Sequence, residues 1–381
     1  MSKNTEKVKK LLAEESFVCA RCGYCDAVCP TYATDKIESL SPRGKLQAIR
    51  MGILEKEIPE KYSNRIFQCV TCGACESVCH TNIPLVKLWT ELRAKMPKPD
   101  SLKQMTQMLE QKHNIANLPN EDRLRWTKRL GNVLHLKETA DVLYFPGCVS
   151  SLFPASNTIS QSFVQILDNA GIDFAILGAD EWCCGFPQLV GGFPEDAKKQ
   201  IEHNIDEINK KKTKILVTTC PACYRIFKEE YKELSDVEIK FEVMHSTQFI
   251  DKLIAEGKIK FCELKAKVTY HDPCDLGRNS GIYEPPRKII KSIPAVEFVE
   301  LPHNRDKCIC CGSGGALGFT NPEMSNTISK RKYNEINETG AEILVTACQT
   351  CRKQIKAATK ENKELKVMDI TEFVLKAMKN G

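Results

Sequence analysis

A chain of 381 residues, 42% of them apolar, is long enough for two to three domains with cores of their own and needs no covalent staples to fold. Its 20 cysteines are therefore not read as a disulfide scaffold: residues 1–10 are polar with no signal-peptide apolar region behind them, and no apolar run reaches the roughly 18 residues of a membrane span. The expected location is cytoplasmic, where clustered thiols mean metal or catalysis, and the net charge of +6 comes from lysines interleaved with acids, which excludes a nucleic-acid surface.

Residues 5–16 read as a short polar helix leading into Cys19, Cys22, Cys25, Cys29 and Pro30, the C-x2-C-x2-C-x3-C-P run of bacterial ferredoxins. Cys69, Cys72, Cys75 and Cys79 repeat the spacing, with His80 in place of the proline and Pro84 four residues later. Three cysteines at this interval wrap one corner of a cubane from a tight loop, and Gly23 and Gly73 let the backbone come close. The fourth cysteine of each run is expected to start a helix pointing away, and so to serve the other cluster. The predicted ligand sets are Cys19, Cys22, Cys25 and Cys79 for one 4Fe–4S cubane, and Cys69, Cys72, Cys75 and Cys29 for the second. Structural zinc uses paired CxxC knuckles rather than a run of four. His80 is read as a substitute for the proline or a surface residue, not a ligand. Between the runs, Ser41 and Pro42 are a helix cap and first helical residue, with the helix continuing towards Ile53, and Pro59 opens a second approach to Cys69. Gly44-Lys45 lacks the upstream glycine of a phosphate loop, Ser39 standing there, so no ATP site is inferred.

Leu85, Leu88, Trp89 and Leu92 fall at helical spacing and predict a helix over 85–96, ending before Pro97. Residues 97–140 read as a charged helical linker, with Asn120 capping a helix over 121–130, Gly131 its stop, and Met105, Met108 and Leu109 as packing contacts. From Asp141 the pattern becomes strand–helix alternation. Strands are predicted at 142–145, after Gly171 and at 215–218, with helices at 160–169 and 198–212. The same order then recurs: strands at 268–270, 296–301 and 343–346, helices near 287–292 and at 322–339. Such alternation argues for parallel sheets whose ligands leave the carboxyl ends of strands.

The recurrence is sharpest in the cysteines. Cys148, Cys183-Cys184 and Cys220-x2-Cys223 are followed 126 to 128 positions later by Cys274, Cys310-Cys311 and Cys348-x2-Cys351. A cubane needs four thiolates and each copy offers five. Adjacent side chains on an extended backbone point to opposite sides, so each Cys-Cys pair suits two separate parts of a larger or opened cluster. Duplication would set two such clusters face to face across a pseudo-two-fold axis.

The repeat resembles the CCG module of heterodisulfide reductases, and the whole layout resembles their D-type catalytic subunit and the iron–sulfur subunits of glycolate, lactate and glycerol-3-phosphate dehydrogenases. The resemblance implies an α+β fold: a helical ferredoxin-like domain with two 4Fe–4S clusters (1–96), the linker (97–140), and two pseudo-two-fold-related α/β CCG modules (141–262 and 263–381). It implies one non-cubane 4Fe–4S cluster on Cys148, Cys183, Cys184, Cys220 and Cys223, and another on Cys274, Cys310, Cys311, Cys348 and Cys351. A disulfide would enter between them, break, and leave one sulfur on iron of each, with electrons arriving singly through the cubanes. The most plausible substrate is the coenzyme M–coenzyme B heterodisulfide. Cys29-Pro-Thr-Tyr32 through Ser41-Pro-Arg-Gly44 looks equally like the glycolate and lactate dehydrogenase branch, in which a partner flavoprotein oxidises the substrate. No flavin or nicotinamide site is legible, so a redox partner subunit, a flavoprotein or a membrane cytochrome b, is expected.

Weaker signals remain. Gly312-Ser-Gly-Gly-Ala-Leu-Gly318 lacks the third glycine of a nucleotide loop and reads as backbone approaching a cluster. Cys262 reads as a small core residue, and Cys308, two residues before the pair, is open to a spare-ligand role without the spacing requiring one. His271, Asp272, Arg278, Arg225 and Arg352 lie beside the ligand cysteines, where they could bind an anionic substrate, tune a cluster potential, or serve ordinary supporting roles.

Overall fold

A computed structural model describes residues 14–55, 60–130, 137–362 and 364–379. Of the predicted features, residues 5–13 of the first helix, Pro59 and Gly131 lie outside this range, while 14–18 is helical. The chain combines a helical amino-terminal part with two sheets, each of four parallel strands.

The amino-terminal part follows its local signals closely. Pro42 opens the Pro42–Glu55 helix, and the Ser41 hydroxyl accepts from Gly44 N at 3.0 Å, the expected cap. Cys29 precedes the Pro30–Asp35 helix as anticipated, but no helix starts at Cys79. Without a proline after Cys79, the chain turns through Asn82 (φ 51°), and the next helix, Leu85–Lys95, begins only after Pro84. Its second residue is held by Glu76, whose carboxylate accepts from Val86 N at 2.6 Å.

The first sheet comprises β1 (Val142–Phe145), β2 (Phe174–Ala175), β3 (Ile215–Thr218) and β4 (Glu242–His245), ordered β2-β1-β3-β4. The second repeats this with β5 (Ala266–His271), β6 (Val296–Phe298), β7 (Ile343–Thr346) and β8 (Lys366–Asp369), ordered β6-β5-β7-β8. Three of the four central strands, β1, β3 and β7, read Val-Leu-Tyr-Phe or Ile-Leu-Val-Thr, near-continuous apolar runs suited to a sheet covered on both faces. Register pairs Phe145 with Thr218 and His271 with Thr346, so two strand ends finish level in each sheet. β4, β8 and the helices after them carry no strong sequence signal, being short and half polar.

Those two late helices join the modules. Ser246–Ala255, which closes the first, packs on Glu284–Lys291 of the second, and Ile370–Lys379, which closes the second, packs on Asn157–Asn169 of the first. The exchange is reciprocal, as a pseudo-two-fold relation requires. Phe249, Ile250, Leu253, Ile289, Ile290, Phe163, Val164, Phe373 and Val374 consequently belong to one continuous apolar core. Burying each such side chain contributes about 1.5–3 kcal/mol.

The segment read as a linker is built into the body. Leu102, Met105 and Leu109 of the Asp100–Lys112 helix are buried and Met108 packs beside them. Residues 120–129 form a 3-10 run rather than an α-helix, and Asn120 is not its cap. Its amide instead donates to Ala179 O and Glu181 O at 2.5 and 2.8 Å, fastening this segment to the first module.

One side chain ties all three parts together. Arg93 is fully buried, and its guanidinium donates to Ile66 O (3.1 and 3.0 Å), Phe67 O (3.3 Å) and Cys69 O (2.8 Å) of the helical part, to Val190 O (2.6 Å) of the first module and to Gly315 O (2.9 Å) of the second. An Arg93→Leu variant leaves these five carbonyls without that donor, at about 1–3 kcal/mol for each left unsatisfied. Limited proteolysis is expected to release the helical amino-terminal part from Arg93→Leu while the paired modules survive; a wild-type cleavage pattern refutes this role. Phe373→Ala should lower stability by about 3–5 kcal/mol and keep a single urea transition, because both modules share its core.

Candidate metal centres

Cys19, Cys22, Cys25 and Cys79 surround one hollow of about 410 Å³, together with Gly23, Arg43 and His80. Cys69, Cys72, Cys75 and Cys29 surround another of about 350 Å³. The crossed grouping, three cysteines of one run with the fourth of the other, is thus present in space. Gly23 and Gly73 adopt φ of 85° and 73° where each loop turns into a short helix. The hollows differ in exposure: Cys22 lies at the surface, whereas Cys29, Cys72 and Cys75 are buried. Burial, with Asp26 beside it, pushes the Cys25 thiol up to about 12, and burial raises Cys29 and Cys75 as well. All-sulfur donor sets suit a soft metal centre, whose binding would displace the protons of Cys25, Cys29 and Cys75. The His80 ring stands edge-on to Tyr24, 4.9 Å between centroids.

In the first module Cys148 follows β1, Cys220 follows β3 and caps the Pro221–Arg225 helix, and the adjacent pair sits in the loop before Phe186. Side-chain contacts link the sulfurs in a string, Cys148–Cys183–Cys184–Cys223–Cys220. Cys183 and Cys184 touch each other, and beyond that Cys183 meets Cys148 while Cys184 meets Cys223. The second module repeats the string as Cys274–Cys310–Cys311–Cys351–Cys348, with Cys311 and Cys351 sulfurs 3.2 Å apart. Gly147 shows how closely the backbone is drawn in: a Cβ there would lie 3.1 Å from Cys223 Sγ. Ten thiols in two such strings fit an iron–sulfur group, and His271 stands within ligand distance of Cys311 and Cys351 in the second.

The buried hollow abuts the second string. Cys72 and Cys310 thiols are in contact, and Cys310, aided by the Arg278 charge, holds Cys72 down to about 6 against its burial. The glycine loop makes this possible. A Cβ on Gly314 would fall 2.2 Å from Val70 O, and on Gly315 2.1 Å from Cys69 O. The loop does approach a cysteine site, but the site belongs to the amino-terminal part.

Between the modules the space is occupied. Gln349, inside the second CxxC, is fully buried and donates to Pro146 O (2.8 Å), Ser150 Oγ (2.9 Å) and Thr219 Oγ1 (2.9 Å), while accepting from Ser150 N (3.1 Å). Arg225 reaches across to Asp275 at 3.2 Å. Cys274 and Cys348 remain half-exposed at the edge of this seam, with Cys220 near Cys348.

The candidate anion binders are already engaged. Arg225 also pairs with Glu230, Arg352 forms a two-pronged pair with Glu372 at 2.7 Å, and Asp272 is gripped by Arg287 at 2.7 and 2.8 Å. His271 contacts Cys308 at 3.5 Å; burial opposes its protonation, but Cys308 raises it to about 9. Cys308, buried, is placed against His271 and Lys332 Nζ (3.6 Å) rather than in the string. Cys262 is half-buried, its N–H donating to Ala377 O, and so is not the core residue expected.

Sequence reasoning missed Arg123 and Glu181. Arg123 donates to Cys148 Sγ at 3.2 Å and to Glu181 Oε1 at 2.6 Å, and Glu181 accepts from Gly147 N at 3.0 Å. Cys148 and Glu181 keep this guanidinium charged despite its burial. Glu181 could have been found, since it occupies the place in the first copy that Cys308 holds in the second. Arg123 gave no signal. Trp182, next to the pair, is sandwiched by His113 and His203 at 3.5 and 3.6 Å.

Known proteins carry the same combination. The family model described as a cysteine-rich domain, CCG, matches residues 142–228 and 268–356, and the 4Fe-4S dicluster domain matches 15–83. The chain is 32% identical to the D-type subunit of the dihydromethanophenazine:CoB–CoM heterodisulfide reductase of Methanosarcina acetivorans, over 94% of this chain and 93% of that protein. The corresponding protein of Methanosarcina barkeri is 31% identical over 98% and 97%. The probable iron–sulfur-binding oxidoreductase FadF of Bacillus subtilis is 30% identical over 73% of this chain but 41% of its own length. A crystal structure of a hypothetical protein from Helicobacter pylori aligns over the whole chain and 74% of its own, with a TM-score of 0.58 and 10% identity, a likeness of fold alone. No helix among the described residues is long and apolar enough to cross a membrane. With a dicluster domain, two CCG domains and near full-length similarity in agreement, this chain is an iron–sulfur electron-transfer oxidoreductase and belongs to the CCG-domain family that includes the D-type heterodisulfide reductase subunits.

Proposed function

We propose that this chain passes electrons through two cubane clusters to two non-cubane clusters at which a disulfide is reduced, the coenzyme M–coenzyme B heterodisulfide being the substrate. The observation that carries the reading is the paired string of five sulfurs, one of them in contact with the buried ferredoxin-type site through Cys72 and Cys310. Cys19, Cys22, Cys25 and Cys79 would hold the first cubane, and Cys69, Cys72, Cys75 and Cys29 the second. The strings ending at Cys220 and Cys348 would hold the other two. When bound, such clusters supply one-electron donors whose potentials depend on burial and on hydrogen bonds to sulfur.

The chain's own residues arrange the rest. Exposed Cys22, in a stretch that also exposes Phe17, Val18, Tyr24 and Val28, puts the first site where a redox partner subunit can approach. The Arg93 and glycine-loop contacts keep the second site against the second module. Gln349 and the Arg225–Asp275 pair hold the modules in register, and half-exposed Cys274 and Cys348 mark the edge at which a disulfide would enter. Reduction requires two electrons and two protons for each pair of thiols released.

A second reading has its own support. The seam is filled by the Gln349 network and the cationic side chains beside it are paired, which favours an electron-transfer subunit of a flavin-linked 2-hydroxyacid or glycerol-3-phosphate dehydrogenase. The two separate in an assay of anaerobically purified protein with reduced viologen dye. Turnover of the heterodisulfide is expected; inactivity with all four clusters present would shift the function to the second reading. Cys184→Ser and Cys311→Ser should each remove about a quarter of the iron and leave the spectroscopic signature of the cubane pair intact. Loss of all clusters together would contradict independent sites.

A further inference from the structure

Arg278 stands four residues after Cys274, in the loop that follows β5. Its Nε donates to Cys72 O at 2.7 Å, and its Nη1 donates to Asp306 O at 3.0 Å and Cys308 O at 2.5 Å. One rigid planar group therefore grips the ferredoxin-type loop at Cys72 and the loop that leads into Cys310. The next residue adds to this grip: Asn279 donates to Thr71 O at 3.4 Å and to Asp275 at 2.8 Å, and its amide oxygen would lie 2.7 Å from any Cβ on Gly73.

The remaining nitrogen is unusual. Arg278 Nη2 is buried without a well-aligned hydrogen bond among the described residues, although the guanidinium lies against the Cys72 thiol, and no carboxylate pairs with it among them. The groups around it are the sulfurs of Cys72, Cys308, Cys274 and Cys310. A buried charged donor left poorly paired is costly, so its place beside these thiols points to more than a clamp on two loops. Duplication supplies a comparison. The first module has Leu152 at the matching place, four residues after Cys148. The guanidinium beside its own string, Arg123, is neutralised by Glu181. Among the described residues, an uncompensated guanidinium stands beside the cysteines only in the copy whose string meets a cysteine of the amino-terminal part.

We propose that Arg278 is a positioning residue for electron transfer, holding the Cys72 and Cys310 loops in contact and setting a fixed positive charge between the clusters on either side, so that an added electron is stabilised at this junction. The inference rests on the cluster assignment proposed above. A guanidinium suits both tasks, since lysine supplies the charge without the fork.

The test is a potentiometric titration of the anaerobic full-length protein followed by electron paramagnetic resonance. Wild type must first show its cluster signals; their absence would sink the cluster assignment itself and not only the role of Arg278. In Arg278→Gln, the second cubane and the second-module cluster are expected to titrate lower. Their reduced-to-oxidised ratio at fixed potential should fall on the order of tenfold, equivalent to about 59 mV for a one-electron couple. The first cubane and first-module cluster should not move. Arg278→Lys should restore the potentials but weaken the spin coupling between the two junction clusters. Unchanged midpoints in a fully loaded Arg278→Gln protein, or an equal shift of all four clusters, overturns the proposal. If the glutamine variant loads poorly, wild-type spin coupling in Arg278→Lys overturns it alone.

Discussion

A single buried guanidinium gives the molecule its working shape. Arg93 takes a full positive charge out of water and surrounds it with carbonyl oxygens from the helical part, the first module and the second. Charge burial of this kind is costly unless every donor is used, and here the same donors are what make three parts of the chain one body. Through Cys69 O and Gly315 O the contact also sets the separation of the two loops whose cysteines meet at Cys72 and Cys310. Gly314 and Gly315 are the necessary counterpart, because any side chain there would occupy the position of a carbonyl on the opposing loop.

Duplication explains both the symmetry of the carboxyl-terminal half and its departures from symmetry. Each module lacks enough surface to cover its own sheet and borrows a helix from its twin, which is why the apolar core runs through both. Within that shared frame the copies have diverged at matching places: Glu181 stands opposite Cys308, and Leu152 opposite Arg278. The first copy neutralises the charge beside its cysteines. The second pairs Lys332 with Glu335 but leaves Arg278 without a carboxylate among the described residues, and it is the copy whose cysteines adjoin the amino-terminal sites. Two chemically similar sulfur strings are thereby set in unlike electrostatic surroundings.

The chemistry of the site was legible early because cysteine spacing is a local property. Loops that wrap a cluster need thiols at fixed intervals with glycine between, so Cys19 to Cys29, Cys69 to Cys79 and the repeated pentads stand out in one dimension. Pro42, Ser41 and the apolar runs at 142–145 and 343–346 were equally direct, since caps and buried parallel strands depend on a few consecutive residues. Elements whose stability comes from distant partners were not. β4, β8 and the 3-10 run at 120–129 have weak patterns of their own, and the helix expected at Cys79 did not start there because an asparagine turn and Pro84 delay it.

By itself the sequence determined which residues carry sulfur, that the carboxyl-terminal half is a doubled α/β unit, and that two ferredoxin-like runs precede it; each follows from short-range spacing or from comparing the chain with itself. Only the tertiary structure decided that Arg123 comes from a supposed linker to touch Cys148, that Arg225 and Arg352 are spent on ion pairs, and that Cys72 meets Cys310 across more than half the chain. Those facts depend on hydrogen bonds and charge pairs between residues far apart in sequence, and no local pattern records which buried donor will find which carbonyl.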